Sequence, residues 1–437
     1  MSKPEAHAMD GHIASSAHTS SPSHDRRTRR RVTWILALSL MGYPLLGTLV
    51  ALTPYPSFVA AIPVRLSVVL LSLSLLVHLR PRDGFFFSFR SIRLTPLRCT
   101  LLLFWLVYLC RLMWDWQVQG MPEAGTALLF FSVVSLIPSL ALLGIAPWLW
   151  DANAFARLAF FAGAATSAIA VGATLLGLAG ERSLIEQTER LAFDTVNPIT
   201  YGYVAATTIL AGLIGWSEDG RRRPLWTLGF VVLGCAAALA SLQMSASKGP
   251  VAALAISLLV LGVSQRRFRW VLAASIPLAI AFVMVPMDGM LGQRFSDIDE
   301  DLSTINRLML LADAAQQFVD NPFFGHAFIE SESQTYPHNP LLEAGMATGV
   351  LGFTLYLMVF LASSVRLFLW IAGRAPGPFL ALLALQYLIG ENISGSLYAS
   401  GSLWIIIAMI IAVTTVPHSI SSKAETTHPE ASANTAP

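Results

Sequence analysis

The chain has 437 residues, 55% of them hydrophobic and 12% charged, with a mean hydropathy of +0.62 and a formal net charge of +2. A soluble domain does not combine that length with so few charges, whereas a protein that crosses the membrane many times does. The basic residues are cut into short loop clusters, which excludes a nucleic-acid surface. Three cysteines (Cys99, Cys110, Cys235) lie in or beside apolar segments and offer neither CxxC spacing nor a disulfide framework.

In chain order, residues 1–31 form a polar arm rich in Ser and His. It cannot bury enough apolar area to order itself and is expected to be disordered. Its four histidines (His7, His12, His18, His24) read as part of that arm rather than as a metal tract. The first apolar stretch is too long for a cleavable signal peptide and follows no short basic start.

Apolar segments follow at 32–52, 58–79, 97–114, 124–147, 155–179, 198–216, 224–243, 249–264, 269–288, 341–365, 376–393 and 400–416. Each is near the roughly 20 residues that cross about 30 Å of hydrocarbon. The expected fold is therefore an all-α polytopic membrane domain over 32–416, followed by a disordered tail at 417–437. The arginines orient it. Arg26, Arg27, Arg29, Arg30 and Arg31 precede the first span, and Arg80, Arg82, Arg90, Arg93 and Arg98 fill the next inner loop. Arg221, Arg222, Arg223 and then Arg266, Arg267, Arg269 continue the alternation. With cations held inside, the pattern gives twelve spans and both termini in the cytoplasm.

Of the 28 Lys and Arg, 21 then fall inside; Arg65 and Arg111 lie within spans; Arg182, Arg190, Lys248, Arg294 and Arg307 face out. Outward cations run against the usual bias and suggest a site for an anion on the outer face.

Two outer loops are long: 180–197, which contains Arg182 and Arg190, and 289–340. Ser303 can cap an amphipathic helix running to about Val319, with Leu308, Leu311, Ala315 and Phe318 on one face and Arg307 in its first turn. The NPFFG turn (Asn321–Gly325) ends it. The helix is expected to lie on the membrane surface or over the bundle. The acidic run Asp297, Asp299, Glu300 and Asp301 lacks EF-hand spacing and reads as a solvated loop rather than a metal site.

His338 precedes Asn339–Pro340, an N-cap followed by proline, and then an apolar run. That puts it at the outer surface, at the positive end of a helix, where neutral imidazole is favoured. It is either a loop histidine or a general base. Its outward-facing companion His326, inside NPFFGHAF, reads as structural. Arg190 is either an interfacial snorkelling cation or an anion ligand, and so is Arg307. Lys248, beside Gly249 at a helix start, suits a phosphate. Arg65 lies roughly 10 Å deep and is either functional or paired with Glu391. Arg111 reads as the local partner of Asp115.

Four stretches carry a family resemblance: Glu189–Gly202 (ERLAFDTVNPITYG), Ser245–Ala255 (SASKGPVAALA), Asn306–Phe328 and His338–Leu357. The sharpest signal is NPFFG followed by HN-x-x-LE-x-x-x-x-x-G-x-x-G, closing on Gly349 and Gly352. The chain resembles the O-antigen ligase and polymerase superfamily of bacterial inner-membrane glycosyltransferases. Where many members carry Arg, it has Lys248, which keeps the charge but loses bidentate geometry.

The resemblance implies a GT-C-like enzyme that takes a glycan from undecaprenyl pyrophosphate on the periplasmic face. The ligase branch passes it to the lipid A–core oligosaccharide. It also implies His338 as base, with Asn339 and Glu343 in support. Arg190, Arg307, Lys248 and Arg65 would hold the pyrophosphate, with no metal or cofactor and with inversion at the anomeric carbon. The ligase is the expectation. A polymerase of lipid-linked repeat units and a transporter of an anionic substrate stay open.

Overall fold

A computed structural model describes residues 22–78, 95–178, 191, 193, 196–215, 224–264, 302–373 and 377–414. The expectations for Arg182, Arg190, Arg294, the acidic run at 297–301, the span at 269–288, residues 1–21 and the tail lie outside them, as does the side chain of Ser303. Among the described residues the structure is helical, save one antiparallel bridge between Phe193 and Val196.

The helices are α1 (Pro22–Ala37), α2 (Tyr43–Ala51), α3 (Phe58–His78), α4 (Pro96–Gln117), α5 (Pro122–Phe130), α6 (Ile137–Leu143) and α7 (Ala152–Leu175). They continue as α8 (Pro198–Ile214), α9 (Leu225–Ser245), α10 (Lys248–Ser264), α11 (Leu302–Asp320), α12 (Pro340–Ala372), α13 (Pro378–Ser394) and α14 (Gly401–Val413). Among the described residues seven helical stretches are long and apolar enough to cross a membrane, as in a multi-pass membrane protein. Every apolar segment read from the described sequence falls on a helix.

Three details differ from the expectation. First, α1 begins at Pro22, within the arm expected to be disordered. Arginine is a good helix former, and Thr28, Val32, Ile35 and Leu36 share one buried face. The helix therefore continues through the basic run instead of ending at it.

Second, the packed face of α11 is rotated slightly from the expected one: Leu311, Ala315 and Phe318 are half-buried as part of it, but its centre lies on Ala314 and Gln317. Ala314 and Gln317 are buried, whereas Leu308 is exposed. The reason is its partner. The Phe318 ring lies against Gly345 of α12 and stacks on Phe353, with centroids 5.4 Å apart. The Gln317 amide donates to the Ala327 and Ile329 carbonyls and accepts from Ser331. Hydrogen bonding by a polar residue, rather than the leucine stripe, fixes the rotation. Arg307 consequently lies one turn deeper in its helix than the first turn.

Third, α12 is two helices. Gly349 has φ 66° and ψ −161°, inside an otherwise helical run. A straight helix would set Asn339 and Tyr356 about 25 Å apart, yet both side chains bond Asn392. Asn339 Nδ2 donates to its carbonyl at 3.2 Å, and the Tyr356 hydroxyl donates to its Oδ1 at 3.0 Å. Gly345 and Phe353, four residues either side of Gly349, both meet Phe318. The limb 340–348 therefore folds back along 350–372. His338 directly precedes the Asn339 cap, as expected, and Asn339 and Tyr356 meet at Asn392.

NPFFG locks this hairpin. An added Cβ on Gly349 would lie 2.4 Å from the Phe323 carbonyl oxygen, and one on Gly325 (φ 70°) 2.4 Å from the Ala347 backbone. Val350 N donates to the Pro322 carbonyl at 2.6 Å, and His326 N to Met346 at 2.9 Å. Only glycine allows both the turn and the close approach. From α4, Arg111 pairs with Asp115 as expected and also donates to the His326 carbonyl. Asp115 accepts from Phe328 N at 3.0 Å. The structural part of His326 is thus its backbone.

Candidate active site

Several helices stop short in one place. Helices α8, α10 and α13 have 17 residues each and α14 has 13. At 1.5 Å per residue they reach about 20–26 Å, less than the roughly 30 Å of a bilayer core. The starts of α8 and α10 pack together, Gly202 against Pro250, the end of α13 reaches Gly249 through Ser394, and the start of α14 bonds Glu391 of α13 through Ser402.

A cavity of about 220 Å³ opens among them. Thr200 and Tyr203 of α8, Glu391 of α13 and Gly401 and Ser402 of α14 line it, opposite Arg65 of α3. Two π-helical turns, Leu38–Gly42 and Phe131–Leu136, supply Leu38, Ser39, Val133 and Val134 to the wall. Such turns widen a helix locally and recur at functional sites.

Arg65 lies over the Phe130 ring, 4.4 Å from its centroid, and 5.8 Å from that of Tyr43. Stacking of this kind holds a cation without neutralising it. Among the described residues no carboxylate is within ion-pair distance of Arg65. Glu391 shares the cavity but is held by the Ser402 hydroxyl. The pairing that the sequence left open is not formed.

His338, Arg307 and Lys248 do not line this cavity; His338 reaches the end of the same helix, α13, that gives Glu391 to it. Its Nδ1 is 3.4 Å from the Ser394 carbonyl, at the end of α13. A carbonyl only accepts, so Nδ1 carries the proton and Nε2 keeps the lone pair of the neutral ring. The Tyr336 ring packs edge-on at 4.5 Å. His338 has φ 55°, and Ala246, which turns α9 into the α10 start, has φ 46°. Left-handed backbone at non-glycine residues is uncommon and clusters at functional sites.

Burial is the main cause holding the His338 pKa below its ordinary 6.5, and the nearby Arg307 charge pushes the same way. The Ser394 carbonyl opposes both. The expected direction is therefore right, but desolvation leads, a cause the sequence could not supply.

The other residues anticipated from the sequence sort clearly. Arg307, half-buried on α11, acts electrostatically on His338, Tyr336 and Tyr203. Lys248 is the first residue of α10. A Cβ on the adjacent Gly249 would sit 3.5 Å from the Ser394 hydroxyl and 3.7 Å from that of Tyr203. Asn339 caps α12 by accepting from Leu342 N at 3.0 Å. Glu343 is buried, accepting from Tyr108 at 3.0 Å, Ser396 at 3.2 Å and Leu397 N at 2.9 Å. It pins the link 395–400 between α13 and α14, so its role is structural support. Arg190 lies outside the described residues.

Sequence reasoning missed Tyr203, Tyr336 and Ser402. Ser402 lies just inside the last apolar segment and gave no signal of its own.

Residues 233–357 match the family model described as O-antigen ligase. No curated protein matches the chain. The matched stretch holds Lys248, Arg307, His338, Asn339, Glu343 and both limbs of the Gly349 hairpin, while Arg65 and Glu391 lie beyond it. Over that stretch, a little under a third of the chain, the protein is similar to the O-antigen ligase family.

Proposed function

We propose that the protein transfers an O-antigen glycan from undecaprenyl pyrophosphate to the lipid A–core oligosaccharide. In this reading the site faces the periplasm, from a twelve-span, GT-C-like inner-membrane enzyme with both termini in the cytoplasm. An acceptor hydroxyl attacks the anomeric carbon. Its O–H proton passes to His338 Nε2, the new C–O bond forms, and the bond from that carbon to the pyrophosphate oxygen breaks. With no enzyme nucleophile the centre inverts. Arg307, Lys248, Arg65 and Arg190 stabilise the departing charge, and no metal is required.

The observation that carries the reading is one juxtaposition. A half-buried imidazole, its Nδ1 engaged by the Ser394 carbonyl at the end of α13, feels the charge of Arg307, and three residues earlier the same helix end gives Glu391 to a cavity that Arg65 also lines. A polyprenyl anion and a hydroxyl nucleophile can both use it.

The test is the pH profile of transfer. Neutral His338 is the active form, so activity is complete above its pKa and lost as pH falls through it. The acid limb of kcat/KM in the parent protein should lie below 6.5. Arg307→Ala removes a repelling charge, raises the His338 pKa and moves the limb to higher pH. It should also cost about tenfold in transfer at neutral pH, the worth of one charge-assisted contact. Arg307→Lys should keep the limb in place and restore activity only partly. An acid limb that Arg307→Ala leaves unmoved contradicts the assignment.

A further inference from the structure

The cavity holds more polar chemistry than a phosphate site needs. An anion alone would be served by Arg65, yet Glu391 shares the same wall. A carboxylate beside a bound phosphate repels it unless something carrying donors stands between. Glu391 is not consumed by Arg65; its carboxyl group is held by the Ser402 and Ser400 hydroxyls, which leaves further acceptor lone pairs open. Two hydroxyls of the lining residues, Tyr203 and Ser39, are buried without a hydrogen-bond partner. Tyr203 itself is only 7% exposed. Buried polar groups are ordinarily satisfied, so these orphans point to a ligand with several donors and acceptors. A volume of about 220 Å³ exceeds that of several waters and admits a phosphate together with a neighbouring hydroxylated ring edge.

We propose that Glu391 and Ser402 form a sugar subsite, in which the carboxylate accepts a hydrogen bond from an O–H or N–H donor on the sugar that adjoins the pyrophosphate, while Arg65 holds the phosphate beside it. The inference deepens the donor reading above and rests on it. It makes Glu391 a specificity residue, distinct from the base and from the cations. The pairing also explains why Arg65 and Glu391 face one cavity without meeting: an ion pair would close the space that the sugar phosphate occupies.

The test compares binding of two probes to the purified full-length protein in nanodiscs: undecaprenyl pyrophosphate bearing one sugar, and bare undecaprenyl pyrophosphate. The parent protein should bind the sugar-bearing lipid at least about tenfold more tightly, as expected when a buried site loses the partner of its polar groups. Glu391→Gln should bring that ratio near one and leave bare-lipid binding unchanged, which also reports that the variant is folded. Ser402→Ala should reduce the ratio in part. A parent ratio near one overturns the proposal, and so does a Glu391→Gln variant that keeps the preference or loses both lipids together. If the parent binds neither lipid, the donor reading fails first and takes this inference with it. If transfer proceeds normally but without a sugar preference, the subsite alone is wrong.

Discussion

His338→Ala should insert and fold like the parent protein and lose about 10²–10⁴-fold in transfer, the range that a positioned general base supplies. The imidazole touches the Ser394 carbonyl and the Tyr336 ring, and neither contact carries the fold. Asn339 still caps α12, and Glu343 still holds the link 395–400. Donor binding should therefore survive while turnover falls, so the loss appears in kcat more than in KM. Transfer within threefold of the parent would leave His338 a loop residue and remove the base from the mechanism.

The second large effect is expected far from the chemistry. Gly349→Ala should destabilise the protein by several degrees in Tm and abolish transfer. An L residue in the left-handed region costs about 1–2 kcal/mol. Here the added Cβ would also press to 2.4 Å on the Phe323 carbonyl, which is backbone and cannot swing aside. Relief would come by opening the hairpin, and an opened hairpin carries His338 away from Ser394. Gly325→Ala should behave alike, from the other side of the same contact. Gly172→Ala is the control: that glycine is helical and has nothing within 4 Å of an added Cβ, so stability should hold or rise. Thermal unfolding measured alongside transfer separates the cases, and normal stability in Gly349→Ala would mean that the fold-back is not locked as described.

Much of the architecture was legible because a membrane helix announces itself by length and apolarity. Twenty or so apolar residues have few other uses, and eleven of the expected segments lie on described helices. The Arg111–Asp115 pair was readable from i,i+4 spacing alone. The fold-back at Gly349 was not. Hydropathy runs unbroken from Leu341 to Ala372, and a single glycine in an apolar helix is common. NPFFG and the closing glycines were recognised as motifs, but their reason is a contact between them, the Phe323 carbonyl against Gly349, and sequence spacing does not show contacts.

The site was half legible. Cations on the outer side and an Asn-Pro helix start drew attention to Lys248, Arg307 and His338. Tyr203 gave no signal, because a tyrosine in an apolar helix usually fills the core, and only the short helices around it make a cavity there. Glu391 was noticed as a possible partner for Arg65, and its separation from that cation is a tertiary fact. The face of α11 was legible in Phe318 and its half-buried neighbours, but not its centre, because Gln317 counts as polar in any periodic pattern.

The most direct measurement is transfer by the purified protein, in EDTA, given an undecaprenyl pyrophosphate-linked glycan and a lipid A–core acceptor. The proposed function predicts that the glycan moves onto lipid A–core, with inversion and undiminished by the chelator. Extension of the lipid-linked glycan with the lipid A–core left bare would instead make the protein a polymerase and contradict the account.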